Sequence, residues 1–438
     1  MPRQLTHDAR NHVLDNNDNF SSDDRWIAYD ERTDGVAECA TIGRVNTETG
    51  AIETLHRESP AHPWGPGVGA TYYNPVEECV AFIRGLTSAS AERPYEMWRR
   101  TGVCARAGAP SVIWFLDARD VIPPFTPGAL RGGTHRHEWS ADGTWIGFTY
   151  NDAVMAEIER RTGDKVNLRT IGVAARLGPP VKVRPGPENN DGELFAAVVA
   201  RVTPHPRPGS DEISRAFEDA WVGSRGYHRA DGPWQTRARA FLGTLRAADG
   251  TEIAEVFIVD IPDRIDVPGT YGPLEGTESA LPGPPATTAQ RRLTFTAGRK
   301  YPGVALEPRH WVRSSPDGTH IAFLARDDNG VVQAHLVSPN GGLIQQVTRA
   351  KDPIESCVRW SPDGEYLLYI SAGVVTICGA KPGSAKFGQE RALTTPEAHP
   401  PLSPVWSRDG RTIAFNRRVM AADGEWLQIF LLAVPDLA

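Results

Sequence analysis

WSPDGEYLLY, Trp360–Tyr369, contains the end of one strand, an Asp-Gly turn and a second strand that finishes apolar. Asp-Gly suits a tight hairpin because the turn needs positive φ, which glycine adopts without steric cost. The pattern returns as WSADGTWIGF from Trp139, SSPDGTHIAF from Ser314 and WSRDGRTIAF from Trp406. Gly318, Gly364 and Gly410 are spaced by 46 residues each. That period suits a four-stranded propeller blade of roughly 40–45 residues. Weaker copies extend the series. FSSDDRWIAY from Phe20 has Asp-Asp at the turn, YNPVEECVAF from Tyr73 keeps only the second strand, and NNDGELFAAVVARV, 189–202, reads as a degenerate copy. The expected fold is all-β, a seven-bladed β-propeller with blades beginning near residues 17, 70, 136, 181, 310, 357 and 403.

The rest of the 438-residue chain fits around this frame as a single propeller domain. The last strand, EWLQIFLLAVPDL, is followed by nothing, while RQLTHD at the N-terminus matches the piece that follows such a strand in LIQQVTRAKD. The N-terminus is therefore expected to supply the outer strand of the last blade and close the ring. Three insertions stand outside a minimal blade, at 87–110, 203–235 and 263–290. The first is basic and aromatic. The second contains GSDEISRAFEDAWVG, read as a short helix capped by Ser210 with Asp211 and Glu212 in its first turn. The third is a Pro- and Gly-rich surface loop.

Composition removes several function classes. The formal net charge is −7 with no long basic run, so no nucleic-acid footprint is present. No apolar stretch approaches the roughly 20 residues of a membrane span. MPRQLTHDARNHVLDNNDNF lacks the apolar core of a signal peptide, and the expected location is cytoplasmic. Five scattered cysteines without C-x-x-C spacing argue against a disulfide framework or a cysteine zinc site. No G-x-S-x-G, P-loop, G-x-G-x-x-G or H-E-x-x-H motif occurs.

RGGTHRHEW, Arg131–Trp139, places His135, His137 and Glu138 directly before a repeat turn. Ungapped alignment of the blades on Trp139 sets His310 level with His135. His135, His137 and His310 then share one strand parity; Glu138, Arg313 and Arg359 share the other. His12 and His399 fall earlier in their blades, at the rim of the same mouth. Histidine is the commonest protein metal ligand, so this set reads either as a metal or catalytic cluster or as plain channel lining. Arg313 and Arg359 either pair with Glu138 between blades or fork a substrate carboxylate. Trp64, with Tyr72 and Tyr73, either stacks on a sugar face or anchors a loop.

The WS-x-DG repeats resemble those of TolB-like propellers. RNHVLDNNDNFSSDDRWIAYD, THRHEWSADGTWIGFTY and AHPPLSPVWSRDGRTIAF resemble oligogalacturonate lyases, which are seven-bladed propellers. The whole chain also resembles an uncharacterised bacterial group related to those lyases. What the resemblance implies is metal-assisted β-elimination on a small acidic oligosaccharide such as an oligogalacturonate. Histidines and a glutamine would hold a manganese-like divalent cation, and a further histidine would take the C5 proton of a uronate. Carried onto this chain, His135, His137, His399 and His12 are the candidate metal ligands, and His310 is the candidate base by position. Arg313 and Arg359 would stabilise the enediolate, with Trp64, Tyr72 and Glu138 on the substrate. The family's late histidine pair is matched only at His399, and no glutamine ligand is matched. The alternative is a non-catalytic TolB-like propeller that binds a protein or glycan partner.

Overall fold

The computed structural model describes residues 1–14, 18–59, 62–109, 112–422 and 424–436. It is a seven-bladed β-propeller of antiparallel sheets around a central channel. The innermost strands of blades 2 to 7 are Val68–Tyr73, Gly132–Trp139, Arg215–Trp221, Arg313–Ser314, Arg359–Trp360 and Leu402–Trp406. In blade 1 that place is held by Val13 and Phe20, which bridge to Asp30 and Ile27; its expected start at residue 17 lies outside the described residues. In blade 7, Arg3–Gln4 pairs with Gly424–Ala433 as the outer strand, so chain start and chain end share one sheet. Innermost strands begin at one face of the ring, here the loop face, and run to the other, the turn face, where the Asp-Gly hairpins lie.

The repeat motif encodes its own turn. Ser140, Ser315, Ser361 and Ser407 donate to Asp142, Asp317, Asp363 and Asp409 at 2.5–2.7 Å. The same hydroxyls accept from the backbone N–H of Trp145, His320, Tyr366 and Thr412 at 2.9–3.1 Å. The glycine φ values are 70–73° at Gly143, Gly318, Gly364 and Gly410, and Asp24 takes that place in blade 1 at 59°. The motif tryptophans tie neighbouring blades together. The indoles of Trp221, Trp360 and Trp406 donate to the carbonyls of Glu138, Arg313 and Arg359, one blade earlier, at 2.8, 2.9 and 3.4 Å. Each such bond contributes about 1 kcal/mol, and together they hold the ring's register. Between blades the core is aliphatic and aromatic, as where Ile171, Phe241 and Phe257 pack with Trp145.

Three sequence expectations are corrected here. The segment read as a capped helix contains the innermost strand of blade 4, Arg215–Trp221. An excursion with the hairpin Tyr227–His228/Trp234–Gln235 replaces the Asp-Gly turn there. The copy expected from residue 181 is not a blade: Gly192 bridges back to Val181, and Phe195–Val198 is the outer strand of blade 3. The helix that does form is α1, Ala153–Thr162. Asp152 caps it by accepting from Met155 N–H at 2.9 Å, and Gly163 ends it at φ 81°. Part of the first expected insertion, Arg100–Arg106, is the third strand of blade 2, so its loop is the stretch before residue 100. The 263–290 loop leaves blade 4 on the turn side and reaches across to Arg131. That buried side chain donates to the carbonyls of Thr277 and Ala280.

Candidate functional site

Backbone bulges shape the loop face. In blades 2, 3, 4 and 7 the innermost strand slips register at one place. The extra residue has positive φ: Ala70 at 59°, Arg136 at 55°, Glu218 at 51° and Ser403 at 50°. A left-handed non-glycine residue is strained, and bulges of this kind re-aim side chains near sites. In blade 3 the bulge overturns the expected parity. His135 and Glu138 stand opposite Thr149 and Gly147, while Arg136 and His137 share the intervening position. His135 and His137 therefore do not face the same way.

His135 is half-buried at the loop face, with Nδ1 3.3 Å from Thr149 Oγ1. Burial first, then Arg100, Arg169, Arg309 and Arg136, hold its pKa well below the ordinary imidazole value. These arginines come from three blades, Arg136 and Arg169 both from blade 3. Arg100 opens the third strand of blade 2, is nearly buried, and donates from Nη1 to Tyr95 Oη at 2.9 Å. Its Nε is buried without a hydrogen-bond partner. Arg136 stacks on Trp311, its guanidinium carbon 3.1 Å from the ring centroid, and Arg309 lies 4.7 Å from the same ring. Arg169 bonds Asn151 at 3.1 Å, and its pKa falls to about 10 through burial and the fields of Arg100, Arg215 and Arg309. The carboxylate acting on this group is Glu218, which accepts from Arg309 Nε at 2.8 Å. Four guanidinium groups thus act on a neutral imidazole, with Arg215 beside Arg169 and the Glu218 carboxylate among them, in a chain whose net charge is −7. Trp64 sits at the rim, stacked on His62 at 4.7 Å, and its carbonyl accepts from Tyr95 N–H at 2.8 Å.

Glu138, Arg313, Arg359 and Tyr72 gather instead at the turn face, around a cavity of about 320 Å³. Glu138 accepts from Arg239 Nη1 at 2.5 Å and from Arg313 Nη1 at 2.9 Å. Tyr72 donates to Asp18 at 2.8 Å. Burial works to raise the Asp18 pKa, but Arg408, Arg359 and the Tyr72 hydroxyl outweigh it and the carboxyl is lowered. Burial, then Arg313, press the Arg359 pKa down to about 10 against the pull of Asp18, 3.8 Å away.

The remaining histidines are occupied elsewhere. His310 is clasped inside blade 5, with Nδ1 3.1 Å from the Pro308 carbonyl and Nε2 accepting from Leu324 N–H at 3.1 Å. Both nitrogens are engaged, which leaves no lone pair for the base role assigned by position. His137 is fully buried between blades 2 and 3 beside Phe148, 3.8 Å from Asp117. Burial pushes His137 down to about 3 and Asp117 up to about 7, so both are held neutral in the weakly acidic range. His12 is buried between blades 7 and 1, 3.0 Å from Asp8 and edge-on to Tyr29. His399 is half-buried at the rim, 3.4 Å from Glu425. Among the described residues no three His, Cys, Asp or Glu side chains are grouped to hold a metal ion. The expected set His135, His137, His399 and His12 does not fit manganese, because its members face different blades and partners.

Sequence reasoning missed Arg100, Arg136, Arg169, Arg215 and Arg309. Each is an ordinary surface-type residue in its own segment. The one local signal was the start of a strand or loop at the loop face, legible once the blades are aligned correctly.

The uncharacterized protein YidR of Escherichia coli (strain K12) is 39% identical to the chain over 418 residues, 94% of each sequence. Residues 67–189 match the family described as Protein of unknown function (DUF3748). Among solved structures, an oligogalacturonate lyase in complex with manganese matches with TM-score 0.52 at 10% identity, covering 99% of this chain and 93% of that one. An oligogalacturonate lyase from Vibrio parahaemolyticus matches with TM-score 0.54 at 11% identity and the same coverage. At such identities the likeness is one of fold.

Proposed function

The chain belongs to the family of the Escherichia coli protein YidR, and for it we propose a carbohydrate-active role: β-elimination on a short acidic oligosaccharide bound at the loop face. The observation that carries the reading is the set of four arginines acting on a neutral His135, with Arg215 beside one of them. A run of uronate carboxylates complements that field, and paired guanidinium groups fork carboxylates. Trp64 at the rim offers a flat surface to a sugar ring. The fold likeness to oligogalacturonate lyases supports the same class of substrate.

In the proposed step, arginines neutralise the C6 carboxylate and stabilise the enediolate that develops on it. His135, neutral and with Nδ1 turned to Thr149, takes the C5 proton on Nε2. The C5–H electron pair becomes the C4=C5 bond. The C4 oxygen leaves with its bonding pair and takes a proton from solvent. No step is routed through a metal ion, since His12, His137 and His399, three of the four histidines expected to bind one, are engaged elsewhere.

The test is the near-ultraviolet absorbance of the new C4=C5 bond with short oligogalacturonates. A rise that persists in chelator and is lost in His135→Gln supports the reading. A rise abolished by chelator, or unaffected by His135→Gln, overturns the assignment. Saturable binding without turnover would point to a glycan-binding propeller instead.

A further inference from the structure

The 263–290 loop encloses space against blade 3. Its two ends are zipped together: Ala286 N–H donates to the Val267 carbonyl at 2.8 Å, and Gly269 N–H to the Pro284 carbonyl at 3.2 Å. Its tip is tied to the buried Arg131, whose Nη2 donates to the Ala280 carbonyl at 2.7 Å. The loop is therefore a fixed roof. Beneath it lies a cavity of about 370 Å³, within the size range of small-molecule sites. Met155 of α1, Leu168, Val198 and Ala200 around blade 3, and Leu281 and Pro282 of the loop give it apolar walls. Thr170 also lines it, but its hydroxyl donates to the Ala200 carbonyl at 2.8 Å. A second cavity, of about 470 Å³, shares Arg201, Tyr271 and Pro284 with the first.

Arg201 decides what this space can hold. Among the described residues it is the one charged side chain lining either cavity, and it is exposed to solvent. Its guanidinium lies over Tyr271, with the central carbon 3.5 Å from the ring centroid. The stack occupies a face of the group and leaves its N–H edges, whose paired donors match the two oxygens of a carboxylate. Its field reaches Glu212, but that carboxylate accepts from Arg207 Nε at 2.9 Å. A single accessible cation beside apolar walls complements one anionic group on an apolar body. We propose that the space under the 263–290 loop is a binding site for a small aliphatic monocarboxylate, its chain along Met155, Leu168 and Leu281 and its carboxylate on Arg201. None of the loop-face arginines lines either cavity, so the proposal is independent of the loop-face reading.

Octanoate titrated into the full-length protein by calorimetry, with hexanoate and octanol alongside, tests this. Saturable octanoate binding in the millimolar range or tighter is expected. Octanol, which lacks the charge, should bind about tenfold more weakly. Hexanoate, two methylenes shorter, should also bind about tenfold more weakly. Arg201→Gln should weaken octanoate about tenfold and leave octanol unchanged. Leu281→Asp sets a carboxylate in the apolar wall and should abolish octanoate binding. His135→Gln should leave octanoate binding unchanged. The proposal is overturned by absence of saturable octanoate binding, by octanol or hexanoate matching octanoate, or by wild-type affinity in Arg201→Gln or Leu281→Asp. A loss of affinity in His135→Gln would place octanoate at the loop face and likewise overturn it. If Arg201→Gln does not fold, the octanol comparison decides, and equal affinity there refutes the site.

Discussion

Arg136 offers a perturbation in which stability and binding should separate. Its φ of 55° places a β-carbon where the left-handed conformation costs about 1–2 kcal/mol. Its guanidinium stacks on Trp311, a contact worth about 0.5–1 kcal/mol. Arg136→Ala loses the stack and keeps the strain, so it should destabilise the fold. Arg136→Gly loses the same stack but releases the strain, offset by about 0.4–1 kcal/mol of added chain entropy in the unfolded state. Glycine should therefore be the more stable of the two by about 0.5–1 kcal/mol, and close to wild type overall. Both variants remove one of five positive charges from the mouth and should weaken trigalacturonate about tenfold. Urea unfolding and calorimetric titration read the two effects separately. If alanine proves as stable as glycine, the bulge is not strained. If both variants bind as wild type does, Arg136 does not face the ligand.

Two further outcomes follow from buried groups. The His310 pKa is pushed by burial from 6.5 down to about 4. The unfolded chain then binds more protons than the folded one between those values, so this stabilisation is full above about pH 6.5 and lost as pH falls through 4. It amounts to about 3 kcal/mol. In thermal unfolding, the gap between wild type and His310→Asn should narrow as pH falls across that window; a constant gap contradicts the clasp. Gly102 packs against the His137 ring and the Asp117 carboxylate, with no room for a β-carbon. Gly102→Ala should cost about 1–3 kcal/mol by urea unfolding, and an unchanged midpoint would contradict this packing.

The seven-bladed fold was legible because Ser-x-Asp-Gly builds its turn from residues within one short segment, as Ser361, Asp363 and Gly364 do. Blade 4 was misread for two physical reasons. The bulge at Glu218 breaks the alternation that marks a strand, and the excursion after Trp221 replaces the turn signature. The bulge at Arg136 likewise inverted the parity argument that paired His135 with His137. No residue type announces such a bulge, since Ala70, Arg136, Glu218 and Ser403 have nothing chemical in common. The arginines of the loop face are spread over blades 2 to 5 and meet only when those blades pack side by side. Helix α1 carried readable caps in Asp152 and Gly163, which the β-repeat frame concealed.

The central claim is that the arginine-rich loop face takes an acidic oligosaccharide through its carboxylates. The most direct measurement compares trigalacturonate with its fully methyl-esterified, uncharged form by calorimetry at two salt concentrations. The account predicts that the acid binds, that salt weakens it, and that the ester does not compete. Equal binding of acid and ester, or salt-independent binding of the acid, would contradict it.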